Sequence, residues 1–133
     1  TASKITVMSG VKCQDNLLFL DRIDELLCNV KSETICTTED GSYGFEGLVT
    51  SQLEKKLAKE KIDMIYTCGP EPMMQAIAKY AKKRNIDCEV SLENLMACGF
   101  GACLCCVVDT VRGKVCTCTE GPVFNIKELK WQI

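Results

Sequence analysis

The sequence predicts an α/β protein. A partial doubly wound parallel sheet is expected over residues 1–92, followed by a small cysteine-rich subdomain over 93–133. Three observations predict it. Apolar, β-rich runs alternate with amphipathic helical segments through the first ninety residues, and each crossover is long enough to return a strand in parallel. The alternation stops at Glu93. Beyond it lie six of the eleven cysteines, interleaved with glycine.

Each element has a local cause. "SKITVMSGV" (Ser3 to Val11) is apolar and ends near Gly10, as a buried strand does. "QDNLLFLDRIDELLCNV" places Leu17, Leu20, Ile23 and Leu27 at helical spacing, with Asp15 as the expected N-cap. "SETICTTE" (Ser32 to Glu39) alternates like a strand and runs into "DGSYGFEG" (Asp40 to Gly47), a loop with three glycines. Val49, Leu53 and Leu57 give a helix near Leu48 to Lys59. "IDMIYTC" (Ile62 to Cys68) is the third strand. In "GPEPMMQAIAKYAKKRN", Pro70 and Pro72 suit the first helical turn, Ile77, Tyr80 and Ala81 share a face, and Lys82, Lys83 and Arg84 complement the carboxyl-terminal dipole. "DCEVSLE" (Asp87 to Glu93) is the fourth strand, and "VVDTVRGKVCT" is a hairpin turning near Arg112–Gly113.

Composition removes several functions. The net charge of −2 and isoelectric point near 5.2 give no electrostatic basis for binding nucleic acid or an anionic membrane. No apolar run approaches a bilayer span and the amino terminus lacks a signal-peptide layout, so a cytoplasmic protein is expected. Eleven cysteines cannot all pair within the chain, and in a reducing compartment dense cysteine points to metal before disulfide. The absence of histidine rules out imidazole ligation and every His-based nucleophile system.

Cys98, Cys103 and Cys106 are spaced C-x4-C-x2-C, with Cys118 further on. This is the spacing of plant-type [2Fe–2S] ligation. Gly99 and Gly101 let the backbone curl close to bridging sulfides. A four-cysteine zinc site, and with it a zinc-stabilised α/β binding module, stays open as an alternative, although its second knuckle would be only Cys116-Thr117-Cys118. Cys13, Cys28, Cys36 and Cys88 read as small apolar residues. In open α/β sheets ligands bind beyond the carboxyl ends of strands, where the loops Asp40 to Gly47 and Cys68 to Met74 fall. Those loops either turn the chain or face a phosphate or amide with their backbone N–H groups.

"CGPEPMM" (Cys68 to Met74), "SLENLMACGFGAC" (Ser91 to Cys103), "EGPVF" (Glu120 to Phe124) and "TEDGSYGFEG" (Thr38 to Gly47) together resemble the electron-transfer subunit of class B, NAD-linked dihydroorotate dehydrogenases. The resemblance runs from about Lys4 to Trp131. Cys98 and the "EGPVF" ending favour that family over the related ferredoxin:NADP reductase subunit, where the first ligand is an aspartate. The resemblance implies a ferredoxin-reductase-like NAD-binding domain, a [2Fe–2S] cluster, NAD(H), and FAD held in a barrel that precedes this segment in the family. It implies a carboxyl-terminal fragment without the barrel or the first Gly-rich loop, inactive by itself toward NADH.

It also implies a partner: the FMN-containing catalytic subunit of pyrimidine biosynthesis, assembled as a heterotetramer, with neither nucleic acid nor membrane involved. The accessory subunit of a related iron–sulfur flavoprotein reductase or hydrogenase is the second expectation. Carried across, the cluster ligands are Cys98, Cys103, Cys106 and Cys118. Cys118 is preferred to Cys116 because the family's cysteine has two residues between it and "GP", as Cys118 has before Gly121. Cys105 is assigned to packing. Cys68, Gly69 and Pro70 fall at the nicotinamide end, with Asp40, Gly41 and Ser42 on the cofactor side. Lys12 is either a ribose contact or a solvated lysine, leaving NAD against NADP open. Met96, Phe100 and Leu104 alternate with the ligands, and either dock on the FMN subunit or pack beneath the cluster.

Overall fold

In a computed structural model, which describes residues 4–131 and 133, strand β1 (Ile5–Val11) runs parallel to β2 (Ser32–Thr38), in register from Ile5 opposite Ser32 to Val11 opposite Thr38. Ser3, expected to open that strand, lies outside the described residues. The chain divides into two compact units, Thr1–Lys59 and Glu60–Ile133.

In the first unit, a short β3 (Phe45–Glu46) continues the parallel sheet beside β2, pairing Thr37 with Phe45 and Thr38 with Glu46. The residue pattern predicts only a loop here, because so tight a parallel return is not the usual crossover. Three glycines with positive φ, Gly41, Gly44 and Gly47, curl the chain enough to make it. At Gly44 a Cβ would stand 2.3 Å from the Cys36 carbonyl oxygen, so no side chain fits.

Helix α1 (Leu20–Leu27) starts later than expected. Asp15 does not cap it: Gln14–Asn16 form a 3-10 turn, and the helix is entered through Phe19 at φ 64°. The reason is tertiary. The Gln14 N–H donates to Ser42 Oγ at 2.8 Å, which draws this stretch to the loop after β2 before the helix begins. Leu20, Ile23 and Leu27 are half-buried, as their spacing predicts.

Helix α2 (Val49–Lys59) buries Leu53 and Leu57. Gly10 makes its approach to β1 possible, since a Cβ there would lie 2.8 Å from Val49 Cβ. Lys56 is also buried, its ammonium on Glu33 Oε2 of β2, which Lys4 also reaches at 2.9 Å.

In the second unit, β4 (Met64–Cys68) and β5 (Asp87–Ser91) are parallel, joined by helix α3 (Glu71–Arg84). The helix takes Pro70 as N-cap and closes on Asn85 in the left-handed region. It buries Met74, Ile77, Ala78 and Ala81. The cysteine-rich segment then makes the β6 (Val107–Thr110) and β7 (Gly113–Cys116) hairpin, the single turn α4 (Thr117–Glu120), and β8 (Val123–Asn125).

Strand β8 returns antiparallel to β5, setting Phe124 opposite Val90, both essentially inaccessible. This strand was not expected, because three residues carry no periodicity to read. Ile126 and Leu129 continue the core beyond it. Among the described residues no buried side-chain nitrogen or oxygen lacks a partner, and no helix is long and apolar enough to cross a membrane.

The Lys56–Glu33–Lys4 group gives the first unit an acid-sensitive link. Hydrogen bonds from Lys56 and then Lys4 hold the Glu33 carboxyl at about 2, against an ordinary 4.5. A depressed folded pKa stabilises fully above 4.5 and is lost as pH falls through 2. Glu33→Gln is expected to lower the melting temperature at neutral pH, with the deficit shrinking between pH 4.5 and 2 and on adding salt, because the carboxylate is solvent-facing. Thermal melts of both proteins across that range check it; a deficit constant with pH would show that the charge contributes nothing.

Candidate metal centre

The loop from Cys98 to Cys106 owes its shape to three residues of positive φ: Gly99 (76°), Gly101 (84°) and Leu104 (58°). The first two are glycines, as the turn requires. Leu104 is a less common occupant of that region. The curl turns backbone N–H groups toward sulfur. The Cys103 N–H donates to Cys98 Sγ at 3.5 Å, and the Cys118 N–H, from α4, donates to Cys106 Sγ at 3.5 Å.

These donors favour thiolates. The Cys98 thiol is lowered to about 6, first by the Cys103 N–H and then by that of Phe100. Cys106 is lowered too, chiefly by the Cys118 N–H. Cys118 is raised because its thiol serves as a donor to Cys106, and Cys116 is raised by desolvation and by the charge on Cys106. The hydrogen bond with Cys103 raises Cys105.

One oxygen gathers the pieces. The Cys106 carbonyl accepts from the Thr117 N–H at 2.9 Å, from Thr117 Oγ1 at 2.9 Å and from Asn94 Nδ2 at 3.3 Å. Asn94 Nδ2 also donates to Thr117 Oγ1 at 3.1 Å. Thr117 is fully buried. The clamp therefore fixes the loop, the end of the hairpin and the exit from β5 together. A Cβ on Gly101 would meet Thr119 Cγ2 at 3.3 Å, a second close approach of the loop to α4. Neither Asn94 nor Thr117 was singled out from the sequence, since one polar residue in each of two distant segments carries no spacing signal.

Cys98, Cys103, Cys106 and Cys118 are thus brought to one side of the second unit, with Cys106 buried and Cys103 exposed. They are not drawn onto a single point: among the described residues no three Cys, Asp or Glu side chains stand close enough to hold one ion. A [2Fe–2S] cluster fits this donor set in its chemistry. It takes four thiolates spread over two irons, and it is stabilised by N–H groups aimed at sulfur. Met96, Phe100 and Leu104 are all exposed around the loop, Phe100 at 72%.

The residues expected on the cofactor side fall in both units. In the first, Asp40 Oδ1 accepts from the Ser42 N–H at 3.0 Å and Ser42 Oγ at 2.6 Å, and these bonds, the hydroxyl's first, hold the carboxyl below its ordinary value. Thr38 Oγ1, fully buried, braces the loop by donating to the Tyr43 carbonyl at 2.8 Å. In the second, Gly69 adopts φ 144°, a conformation open to glycine, and a Cβ there would meet Met73 Cε at 2.7 Å. The Pro70 carbonyl takes the first helical N–H groups, of Met73 and Met74. The exposed Cys68 thiol faces Glu93 Oε1 at 3.9 Å.

Comparison with known proteins finds a match for two segments of the chain. Residues 1–79 match the oxidoreductase NAD-binding domain, and residues 93–130 match the iron–sulfur cluster binding domain of dihydroorotate dehydrogenase B. The chain is 43% identical over 128 residues to the probable dihydroorotate dehydrogenase B (NAD(+)) electron transfer subunit of Methanocaldococcus jannaschii, covering 96% of this chain and 47% of that one. It is 39% identical to the corresponding probable subunit of Archaeoglobus fulgidus, covering 97% and 51%. The chain spans about half the length of these curated relatives. Among solved structures, it superposes with a TM-score of 0.79 and 29% identity on a chain of an NADH-dependent reduced ferredoxin-NADP oxidoreductase, covering 96% of this chain and 45% of that one.

The clamp on the Cys106 carbonyl is open to test. Thr117→Val keeps the shape but removes the hydroxyl, leaving Asn94 with one acceptor fewer in a buried place. The expected cost is about 1–3 kcal/mol of stability, read by urea unfolding. Asn94→Ala should cost a similar amount, and the double variant less than the sum, because both act on one oxygen. Additive losses would mean the two residues work separately.

Proposed function

We propose that the chain, which belongs to the oxidoreductase NAD-binding family over residues 1–79 and matches the iron–sulfur cluster binding domain of dihydroorotate dehydrogenase B over 93–130, carries the nicotinamide-side and cluster-bearing parts of an electron-transfer subunit. In that role it relays electrons between NAD(H)/FAD and the FMN catalytic subunit of a dihydroorotate dehydrogenase, serving pyrimidine biosynthesis. The functional boundary falls at 92/93, between the two family matches. Cys98, Cys103, Cys106 and Cys118 are the proposed ligands. The observation that carries this is the pair of backbone N–H groups on Cys98 Sγ and Cys106 Sγ.

When bound, a [2Fe–2S] cluster supplies one-electron transfer at a near-constant geometry. The residues around it do the rest. The Cys103 and Cys118 N–H groups hold negative charge on sulfur. Asn94 and Thr117 keep the two halves of the ligand set in register. Gly69 and Pro70 open the α3 amino terminus, and with Cys68 they suit the nicotinamide end of NAD(H). Asp40, Gly41 and Ser42 suit the cofactor side through a braced turn with exposed polar groups. FAD belongs to the proposed holoenzyme, as does assembly into a heterotetramer in the cytoplasm. The likeness to the ferredoxin-NADP oxidoreductase chain favours a second reading, a related iron–sulfur flavoprotein reductase; the match over 93–130 supports the first over it and over a zinc module.

Anaerobic reconstitution tests the ligand set. The chain should take up about two irons and two sulfides and absorb in the visible. Cys98→Ser and Cys103→Ser should lose stable loading, while Cys105→Ser and Cys116→Ser keep it. A colourless protein that takes up only zinc would sink the electron-transfer reading.

The exposed Met96, Phe100 and Leu104 are proposed to meet the FMN subunit, since electron transfer needs close approach and an apolar rim suits a partner surface. Phe100, the most exposed of the three, is the side chain to change. Phe100→Glu should weaken association roughly tenfold or more, as a lost aromatic anchor does, with cluster content unchanged. Titration calorimetry against the catalytic subunit reads it, and unaltered affinity would remove the patch from the interface.

A further inference from the structure

The carboxyl-terminal knuckle offers two thiols where a four-sulfur site needs one. Cys116 and Cys118 flank Thr117, and Thr117 is the best-anchored residue of the region. It is fully buried, its N–H and its Oγ1 each donate to the Cys106 carbonyl at 2.9 Å, and its hydroxyl accepts from Asn94. The two cysteines therefore leave a fixed pivot in two directions.

Both directions lead to the same loop. Cys118, in α4, gives its N–H to Cys106 Sγ at 3.5 Å. Cys116, the last residue of β7, turns its Sγ toward the Gly101 carbonyl at 3.9 Å, inside the Cys98–Cys106 curl. Cys116 is only half-buried and its sulfur faces a carbonyl of the ligand loop, which is not the setting of a small apolar filler. Cys105 differs: it is exposed and turns back on the Cys103 carbonyl at 3.8 Å.

We propose that Cys116 is a reserve cluster ligand, able to take the fourth coordination position when Cys118 leaves it. The proposal rests on the [2Fe–2S] reading given above. In the exchange one iron–sulfur bond, to Cys118, breaks and one, to Cys116, forms. The proton of the Cys116 thiol passes to the released Cys118 sulfur. Atoms and charge balance, and no electron is gained or lost. The anchored Thr117 lets this happen by side-chain rotation on either side of a stationary backbone, so the clamp on Cys106 survives the exchange.

The test uses the full chain reconstituted anaerobically with iron and sulfide, in four forms: unaltered, Cys116→Ala, Cys118→Ala, and the double variant. Alanine leaves no side-chain donor atom at the position. Iron and sulfide content is read together with the electron paramagnetic resonance of the reduced protein. Cys116→Ala should match the unaltered chain in both. Cys118→Ala should keep its iron and sulfide but with shifted g-values, and the double variant should lose the cluster. Cys118→Val repeats the comparison, so that a folding defect peculiar to the alanine cannot stand in for ligand loss.

Loss of the cluster in both single Cys118 variants, to the level of the double variant, would overturn the proposal. So would an unshifted spectrum in them, since Cys116 would then be the working ligand and not the reserve. A Cys98→Ala control separates this from the reading beneath it. If the unaltered chain loads iron and sulfide and that control does not, the [2Fe–2S] assignment stands whatever the Cys118 variants do.

Discussion

The carbonyl oxygen of Cys106 is the point on which the cysteine-rich end depends. Three donors converge on it, two from Thr117 and one from Asn94. A buried acceptor left unpaired costs free energy comparable to the hydrogen bonds it would have made, so the three segments that supply these groups are held together. Asn94 leaves β5, Cys106 ends the curled loop, and Thr117 joins the hairpin to α4. Cooperative anchoring of this kind is how a segment with few regular elements acquires one geometry.

The same economy governs the sulfurs. The chain has no histidine to stabilise negative charge on the thiols; at Cys98 and Cys106 backbone N–H groups do most of it. The positive φ values at Gly99 and Gly101 turn N–H groups inward, and Cys98 is depressed to about 6 as a result. A site built from main-chain donors keeps its side chains for other tasks. Around this loop those side chains are Met96, Phe100 and Leu104, all turned outward. An apolar rim around a chemically polar centre is the arrangement expected where a partner must come close and water must be kept thin.

The first unit follows a different constraint, close approach at glycine. Gly10 admits Val49 at the start of α2, and Gly44 lets the chain pass over the Cys36 carbonyl. The loop that results is braced from within by Thr38, Asp40 and Ser42. Ser42 then reaches Gln14 and sets where the first helix can begin. One hydroxyl thereby links the loop's shape to the start of α1.

The sequence by itself determined the strands and helices of the parallel α/β part, because period-2 and period-3.6 apolar patterns are written in consecutive residues. β1, β2, β4, β5, α2 and α3 all lie on the segments that their apolar patterns marked, among them Leu53 and Leu57 for α2 and Ile77 and Ala81 for α3. It determined the cysteine loop and its glycines for a similar reason: ligand spacing is a local property. What only the tertiary structure decided rests on contacts between distant residues. Asp15 looked like a helix cap until Ser42 claimed the neighbouring Gln14 N–H. Strand β8 exists because Phe124 finds Val90 and the space beside Gly121, not because three residues prefer extension. Asn94 and Thr117 gained their roles by meeting across 23 positions of chain at one carbonyl oxygen. Periodicity reports which face of an element is apolar; it carries no information about which far-off polar atom will fill a given buried hydrogen bond.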